Sequence, residues 1–190
     1  RILLVLFVII LFIATLFFLL FGLNNDNKDT GNTPTSSEPT GLAAAANSDA
    51  TVTFMNDGQI NGNESHKQIA ITVSRNARTL TIYQGYQGKV ASTQSFTNNQ
   101  AAFESFLSAI NDAGFAKERV NATTESVVGQ CPLGCRYIYS STAIQNIPNN
   151  LWTTTCGVKT GNFGGNSTLV NKLFQLQIPN YSTLVSQVKF

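Results

Sequence analysis

KQIAITVSRNARTLTIYQGYQGKVASTQSF, residues 67–96, is the stretch that decides the fold. Ile69, Ile71 and Val73 fall on one side of Lys67–Ser74, and Leu80 and Ile82 fall on one side of Thr79–Gln84. A hydrophobic period of two is the pattern of a strand with one buried face. Arg75–Arg78 and Gly85–Gly88 supply the turns and Gly88–Phe96 returns, so these runs predict an antiparallel meander. Before it, Thr51–Met55 reads as a strand, with Asn56-Asp57-Gly58 as a hairpin turn and Gln59-Ile60 returning.

After the meander the period changes. Phe103, Phe106, Leu107 and Ile110 recur at helical spacing, with Thr97 or Asn98 as candidate N-cap and Gly114 as terminator. This helix is expected to cover the meander. Arg136–Thr142 then reads as a strand, Ala143–Asn150 as a loop and Leu151–Cys156 as the antiparallel partner. A Gly-rich turn leads to a helix over about Ser167–Gln177, stopped by Pro179, and Asn180 heads a last short helix bearing Tyr181, Leu184, Val185 and Val188. Strands and helices are segregated rather than alternating, which predicts an α+β domain over residues 51–190, a meander and a hairpin packed with two or three helices. The pattern leaves open whether the two halves share one sheet.

The N-terminal part is unlike the rest. Residues 2–22, ILLVLFVIILFIATLFFLLFG, contain no charge and only Thr15 as a polar side chain. At about 1.5 Å rise per residue, roughly 20 such residues cross a hydrocarbon core. Residues 1–23 are therefore expected to be a transmembrane anchor in contact with membrane lipid. A cleaved signal peptide has a shorter apolar core and a small-x-small site, which Phe21-Gly22-Leu23-Asn24 does not offer. Arg1 on the flank puts the N-terminus in the cytoplasm and the C-terminal domain outside the cell membrane. Residues 24–50, rich in Asn, Asp, Ser, Thr, Gly, Pro and Ala, are expected to be a flexible linker too polar to fold alone. A pilin-like filament subunit is the alternative architecture. The Asn24-Asn25-Asp26-Asn27 run opposes it, because it would end a helix that a filament core needs to continue.

Chemistry is sparse. The cysteines Cys131, Cys135 and Cys156 predict one disulfide and one spare thiol in an oxidising compartment. Cys131–Cys156 is the expected pair and Cys135–Cys156 the alternative; closing the longer loop contributes roughly 3 kcal/mol in the chain-entropy picture. A zinc site or a Cys–His hydrolase would need His66, the lone histidine, to converge on these cysteines, and its Glu64-Ser65-His66-Lys67 setting reads as an exposed polar turn. No nucleophile elbow or phosphate-binding loop is present in the sequence, and no catalytic residue, metal or cofactor is expected. The lysines and arginines are scattered, which argues against nucleic acid. Tyr83, Tyr86 and Trp152 are the candidate binding surface for a protein or glycan, with core packing as the competing role for Trp152. The expected function is thus a non-catalytic surface-binding or envelope module, with a cysteine- or metal-dependent hydrolase as a further alternative.

Overall fold

The structure, a computed structural model, describes residues 41–120, 122, 126–145, 147–157, 160–188 and 190, all within the compact unit Glu38–Phe190. The anchor expected at 1–23 and the linker as far as residue 40 lie outside the described residues. Among the described residues no helix is long and apolar enough to cross a membrane.

Six strands form one antiparallel sheet: β1 Thr51–Asp57, β2 Lys67–Ser74, β3 Ala77–Gln84, β4 Lys89–Thr97, β5 Arg136–Thr142 and β6 Leu151–Thr154. Their order across the sheet is β4-β3-β2-β1-β5-β6. The two halves therefore do share a sheet, and β1 is the seam. It pairs along its whole length with β2 on one side (Thr51 opposite Ser74, Asp57 opposite Gln68) and β5 on the other (Thr51 opposite Thr142, Asp57 opposite Arg136). The β2–β3–β4 meander and the β5–β6 hairpin follow the sequence pattern.

Alternation sorts the side chains onto two faces. Val52, Phe54, Ile69, Ile71, Val73, Leu80 and Tyr139 share the inner face and are buried. On the outer face short polar side chains predominate, and one row of hydroxyls, Ser140–Thr53–Thr72–Thr79–Ser95, crosses five strands in register. Thr53 and Thr72 hydroxyls are 3.1 Å apart, and those of Thr79 and Ser95 are 3.3 Å apart. Such cross-strand pairs fix register where no hydrophobic face does.

Helices cover the inner face. Helix α1, Gln100–Asp112, buries Phe103, Phe106, Leu107 and Ile110, and its N-cap is Asn99, whose side chain accepts from Ala102 N. Gly114, at φ +83°, turns the chain out of the helix. Helix α2, Ser167–Leu176, is capped by Asn166 and buries Val170, Asn171 and Phe174. Helix α3, Tyr181–Val185, is a single turn whose preceding Asn180 adopts a left-handed conformation and makes no side-chain cap. Phe174 packs edge-on to Phe106 and lies against Phe54 and Phe115. The Tyr139 hydroxyl donates to Asn171 Oδ1 at 2.6 Å inside this cluster. Burial pushes the Tyr139 phenol far above the usual tyrosine range.

Three expectations need correction. The N-cap of α1 is neither Thr97 nor Asn98 but Asn99, because it is the Asn99 side chain that reaches Ala102 N in the first turn. The linker does not run to residue 50, because Gly41–Asn47 forms a 3-10 helix packed along α1, with Leu42, Ala46 and Ala50 buried. Tertiary burial of these side chains supplies what an isolated turn lacks. Nor is Asn56-Asp57-Gly58 a hairpin turn. Asn56 and Asp57 continue β1, because Asp57 is bonded to residues of β2 and β5, and Gln59-Ile60 belongs to the loop that follows.

Leu42→Ala should destabilise the full chain by about 2–4 kcal/mol, as for other buried leucines. Chemical denaturation would check this; a change under about 0.5 kcal/mol, typical of exposed positions, would contradict the packing of the 3-10 helix.

Candidate functional site

The ends of β1, β2, β3 and β5 meet at one edge of the sheet, where three connections cluster: residues 58–66, the Gly85–Gly88 turn and the Cys131–Cys135 turn. β1 carries the chain to this end from the opposite one, a distance of about 20 Å.

Asp57, the last residue of β1, organises the cluster. Its Oδ2 accepts from Arg136 Nε at 2.7 Å and its Oδ1 from Gln68 Nε2 at 3.0 Å. Arg136 is buried, and its other guanidinium nitrogens donate to Gln130 O at 3.2 Å and to Gly58 O. His66 Nε2 comes within 2.9 Å of Asp57 Oδ1, a close polar contact off the line of a good hydrogen bond. His66 Nδ1 is 3.0 Å from Gln59 O, so Nδ1 carries a proton, since a carbonyl only accepts.

His66 is therefore not the exposed turn residue its polar neighbours predict. It is 0% exposed, because Tyr86 lies over it with ring centroids 4.0 Å apart and planes 11° from parallel. Tyr86 is held from three sides. Its hydroxyl donates to Asn61 O at 2.9 Å and accepts from Asn61 N at 3.0 Å, while its own amide donates to Asn63 Oδ1 at 2.9 Å. One ring face rests on His66, yet the residue is 49% exposed, so the other face is open to solvent. Gly85 makes the close approach possible: its φ is +75°, and a Cβ there would stand 2.8 Å from Asn63 Oδ1. The turn begins where Gly85 N donates to His66 O at 3.0 Å.

At the Gly85–Gly88 turn lies a polar cleft of about 360 Å³ lined by Asn63, Glu64, Gln84, Gly85, Gln87 and Lys89, with Tyr86 outside its lining. Exposed Ile60 and Leu133 stand at the same end of the sheet. They are linked through the backbone, with Ile60 N donating to Pro132 O at 2.9 Å and Gln59 Nε2 to Leu133 O at 2.9 Å.

The disulfide anchors this third connection. Cys131 and Cys156 are bonded, with Cα atoms 5.5 Å apart, and Cys135 is free. The register explains the choice. Cys135 lies opposite Thr155, donating to Thr155 Oγ1 at 2.9 Å and accepting from Thr155 N at 3.0 Å, which carries Cys156 one residue beyond it. Gly134 fills the space in front of the bridge, where a Cβ would fall 2.6 Å from Cys131 Sγ. Burial pushes the Cys135 thiol up, partly offset by the nearby Arg136 charge and reinforced by Asp57. A thiol so placed is short of thiolate. His66 directs both ring nitrogens at Gln59 and Asp57, so neither is turned to a cysteine as a base. Among the described residues, no group of three His, Cys, Asp or Glu side chains is arranged to hold a metal.

The three aromatic candidates do not form one surface. Tyr86 is exposed and Tyr83 half-buried on the outer face of β3, where a register shift between Ile82 and Tyr83 interrupts the pairing with β4. Trp152 is buried on β6, toward the far edge of the sheet, under the returning segment in which Asn162 Oδ1 accepts from Trp152 N at 2.7 Å and Phe163 N donates to Trp152 O at 3.0 Å. Packing accounts for Trp152, and it offers no open face. His66 and Asp57 were missed as supports of Tyr86. The one available signal was an aspartate ending a strand whose partners place an arginine and a histidine nearby.

No protein-family model matches the chain, and no curated protein matches it in sequence.

Asp57→Ala should destabilise the protein by about 3–5 kcal/mol, because it leaves the buried Arg136 charge without its partner. Denaturant unfolding of the variant reads this directly, and a loss below about 1 kcal/mol would show that the pair is not a support. The second expectation concerns Cys135. Its raised thiol puts less thiolate in the folded state at any pH below the shifted value, so native alkylation by iodoacetamide should be slower than that of a small thiol and should gain speed only at higher pH. One thiol per chain should react in denaturant without reductant; finding three would remove the disulfide.

Proposed function

We propose that this chain is a membrane-anchored, non-catalytic binding module displayed outside the cell, with residues 2–22 as the single span, the N-terminus in the cytoplasm and the domain beyond it. The observation that carries the reading is the position of Tyr86: a fixed, half-exposed aromatic ring at the end of the sheet opposite the one where β1 begins. The length and apolarity of residues 2–22 support the span. The Cys131–Cys156 disulfide suits an oxidising compartment.

Recognition by this end follows familiar physics. A rigid aromatic side chain lends large contact area at little entropic cost, because its two torsions are already fixed by His66, Asn61 and Asn63. Exposed Ile60 and Leu133 add apolar area at the rim.

The test uses the full chain. Membranes of cells producing it should retain it after alkaline carbonate washing, and deletion of residues 2–22 should release it. Phosphatidylcholine vesicles carrying the full chain should bind envelope preparations of the producing cells. Combining Tyr86→Ala with Ile60→Ser and Leu133→Ser should cut that retention about tenfold or more while leaving the circular dichroism spectrum unchanged. A chain that washes off the membrane, or retention indifferent to the triple variant, would overturn the reading.

A further inference from the structure

We infer that the open edge of β4 is an interface for a second copy of this chain, in which residues 92–96 pair antiparallel with themselves about a two-fold axis at Gln94. The inference is independent of the Tyr86 end and of the membrane span.

The two edges of the sheet are built differently. β6 is four residues long, and its free side is covered by the returning segment, where Phe163 N donates to Trp152 O at 3.0 Å and Asn162 Oδ1 accepts from Trp152 N at 2.7 Å. β4 is nine residues long and forms the other edge, with every residue but Phe96 exposed. An uncovered edge strand carries unpaired backbone donors and acceptors that a further strand can take up, which is why such edges are normally short, charged, kinked or covered.

The register identifies the free groups. Asn98 N donates to Asn76 O at 3.0 Å, and in the same register Phe96 faces Arg78, Gln94 faces Leu80 and Ser92 faces Ile82. Bonded and non-bonded pairs alternate along an antiparallel ladder, so Thr93, Ser95 and Thr97 turn their backbone N–H and C=O groups outward. The Arg78 side chain agrees with this direction, since its Nη2 reaches round to donate to Thr97 O at 2.9 Å. That bond caps one end of the edge. At the other end the register shifts between Ile82 and Tyr83, and Lys89 adds a charge; a bulge and a lysine both obstruct strand pairing. Between these two obstacles Thr93 and Ser95 leave their outward groups open.

This window is complementary to itself. With Gln94 on a two-fold axis, Thr93 of one copy faces Ser95 of the other, twice over, and each such pair exchanges both of its backbone hydrogen bonds. No charged residue lies between Val90 and Thr97, so no like charges meet across the seam. On the outer face the Thr93 and Ser95 hydroxyls come together across the seam, as those of Thr79 and Ser95 already do at 3.3 Å within one chain. On the inner face Ser92 of the second copy covers the half-buried Phe96. An extended peptide from another protein takes its specificity from side-chain pockets beside the edge. Here the window presents short polar side chains, and the nearby cleft reaches only as far as Lys89.

The test uses the full chain purified in detergent, with Cys135→Ser removing the native free thiol and Gln94→Cys placing a new one on the axis. Facing residues of a non-bonded pair have Cα atoms about 4.5 Å apart, within reach of a disulfide. Two copies of residue 92 would stand about 13 Å apart, which is out of reach. Mild oxidation should therefore link Gln94→Cys chains into dimers about tenfold faster or more than it links Ser92→Cys or Gln87→Cys chains, all three positions being exposed. Adding Thr93→Lys together with Ser95→Lys sets like charges opposite one another and should abolish that advantage, whereas Thr93→Lys with Ser95→Glu sets opposite charges there and should keep it. Circular dichroism checks that each variant is folded. Equal rates from the three cysteines, or a double-lysine variant that cross-links as fast as its parent, overturn the interface. If Gln94→Cys in membranes of the producing cells links to a different protein and not to itself, the edge takes a foreign strand and the second-copy assignment falls.

Discussion

The carboxylate of Asp57 is the group on which the loop-bearing end of this sheet depends. It takes hydrogen bonds from Arg136 on β5 and Gln68 on β2 and lies against His66. Ionic groups removed from water are costly unless paired and hydrogen-bonded, and here both oxygens and the guanidinium have partners. The arrangement is not chiefly a source of stability, since replacing a buried ion pair as a whole by apolar side chains of similar volume is often neutral or stabilising. What the network determines is position. It ties the last residue of β1 to strands on either side and sets the ring of His66 on which Tyr86 rests.

That position matters because the neighbouring segments are loops. Loops carry recognition best when a rigid scaffold holds them. Residues 58–66 are held by the Gln59 and Ile60 bonds to the Cys131–Cys135 turn, and that turn is in turn held by the disulfide to Cys156. The Gly85–Gly88 turn is held by bonds to His66 and Asn63. Each connection is thus braced by another, and the open face of Tyr86 is presented on a surface with little freedom to rearrange.

The helical side of the domain does different work. Phe54, Phe106, Phe115, Tyr139, Phe163 and Phe174 form one aromatic cluster between the sheet and the helices. Large rings at this density supply much of the apolar burial available to a domain with few aliphatic side chains on its outer face. The 3-10 helix Gly41–Asn47 closes the end of the core where β1 begins.

The meander, the amphipathic helix around Phe103–Ile110 and the β5–β6 hairpin were legible in the sequence because each rests on local periodicity, and a period of two or of 3.6 is visible within a few residues. The cysteine content made a disulfide expected, and spacing alone left its partner open. Tertiary structure decided the rest. β1 was recognisable as a strand, but its place between β2 and β5 depends on pairing with residues some 85 positions away, which no local pattern records. His66 reads as exposed because Glu64, Ser65 and Lys67 flank it, yet it is buried because Tyr86, from another connection, covers it. Leu42 and Ala46 look like linker until α1 provides a surface to pack on. Sequence by itself determined which segments could be strands, helices or an apolar span, since those depend on side-chain pattern; the three-dimensional structure alone decided which polar groups meet, since burial and hydrogen-bond pairing are properties of neighbours distant in the chain.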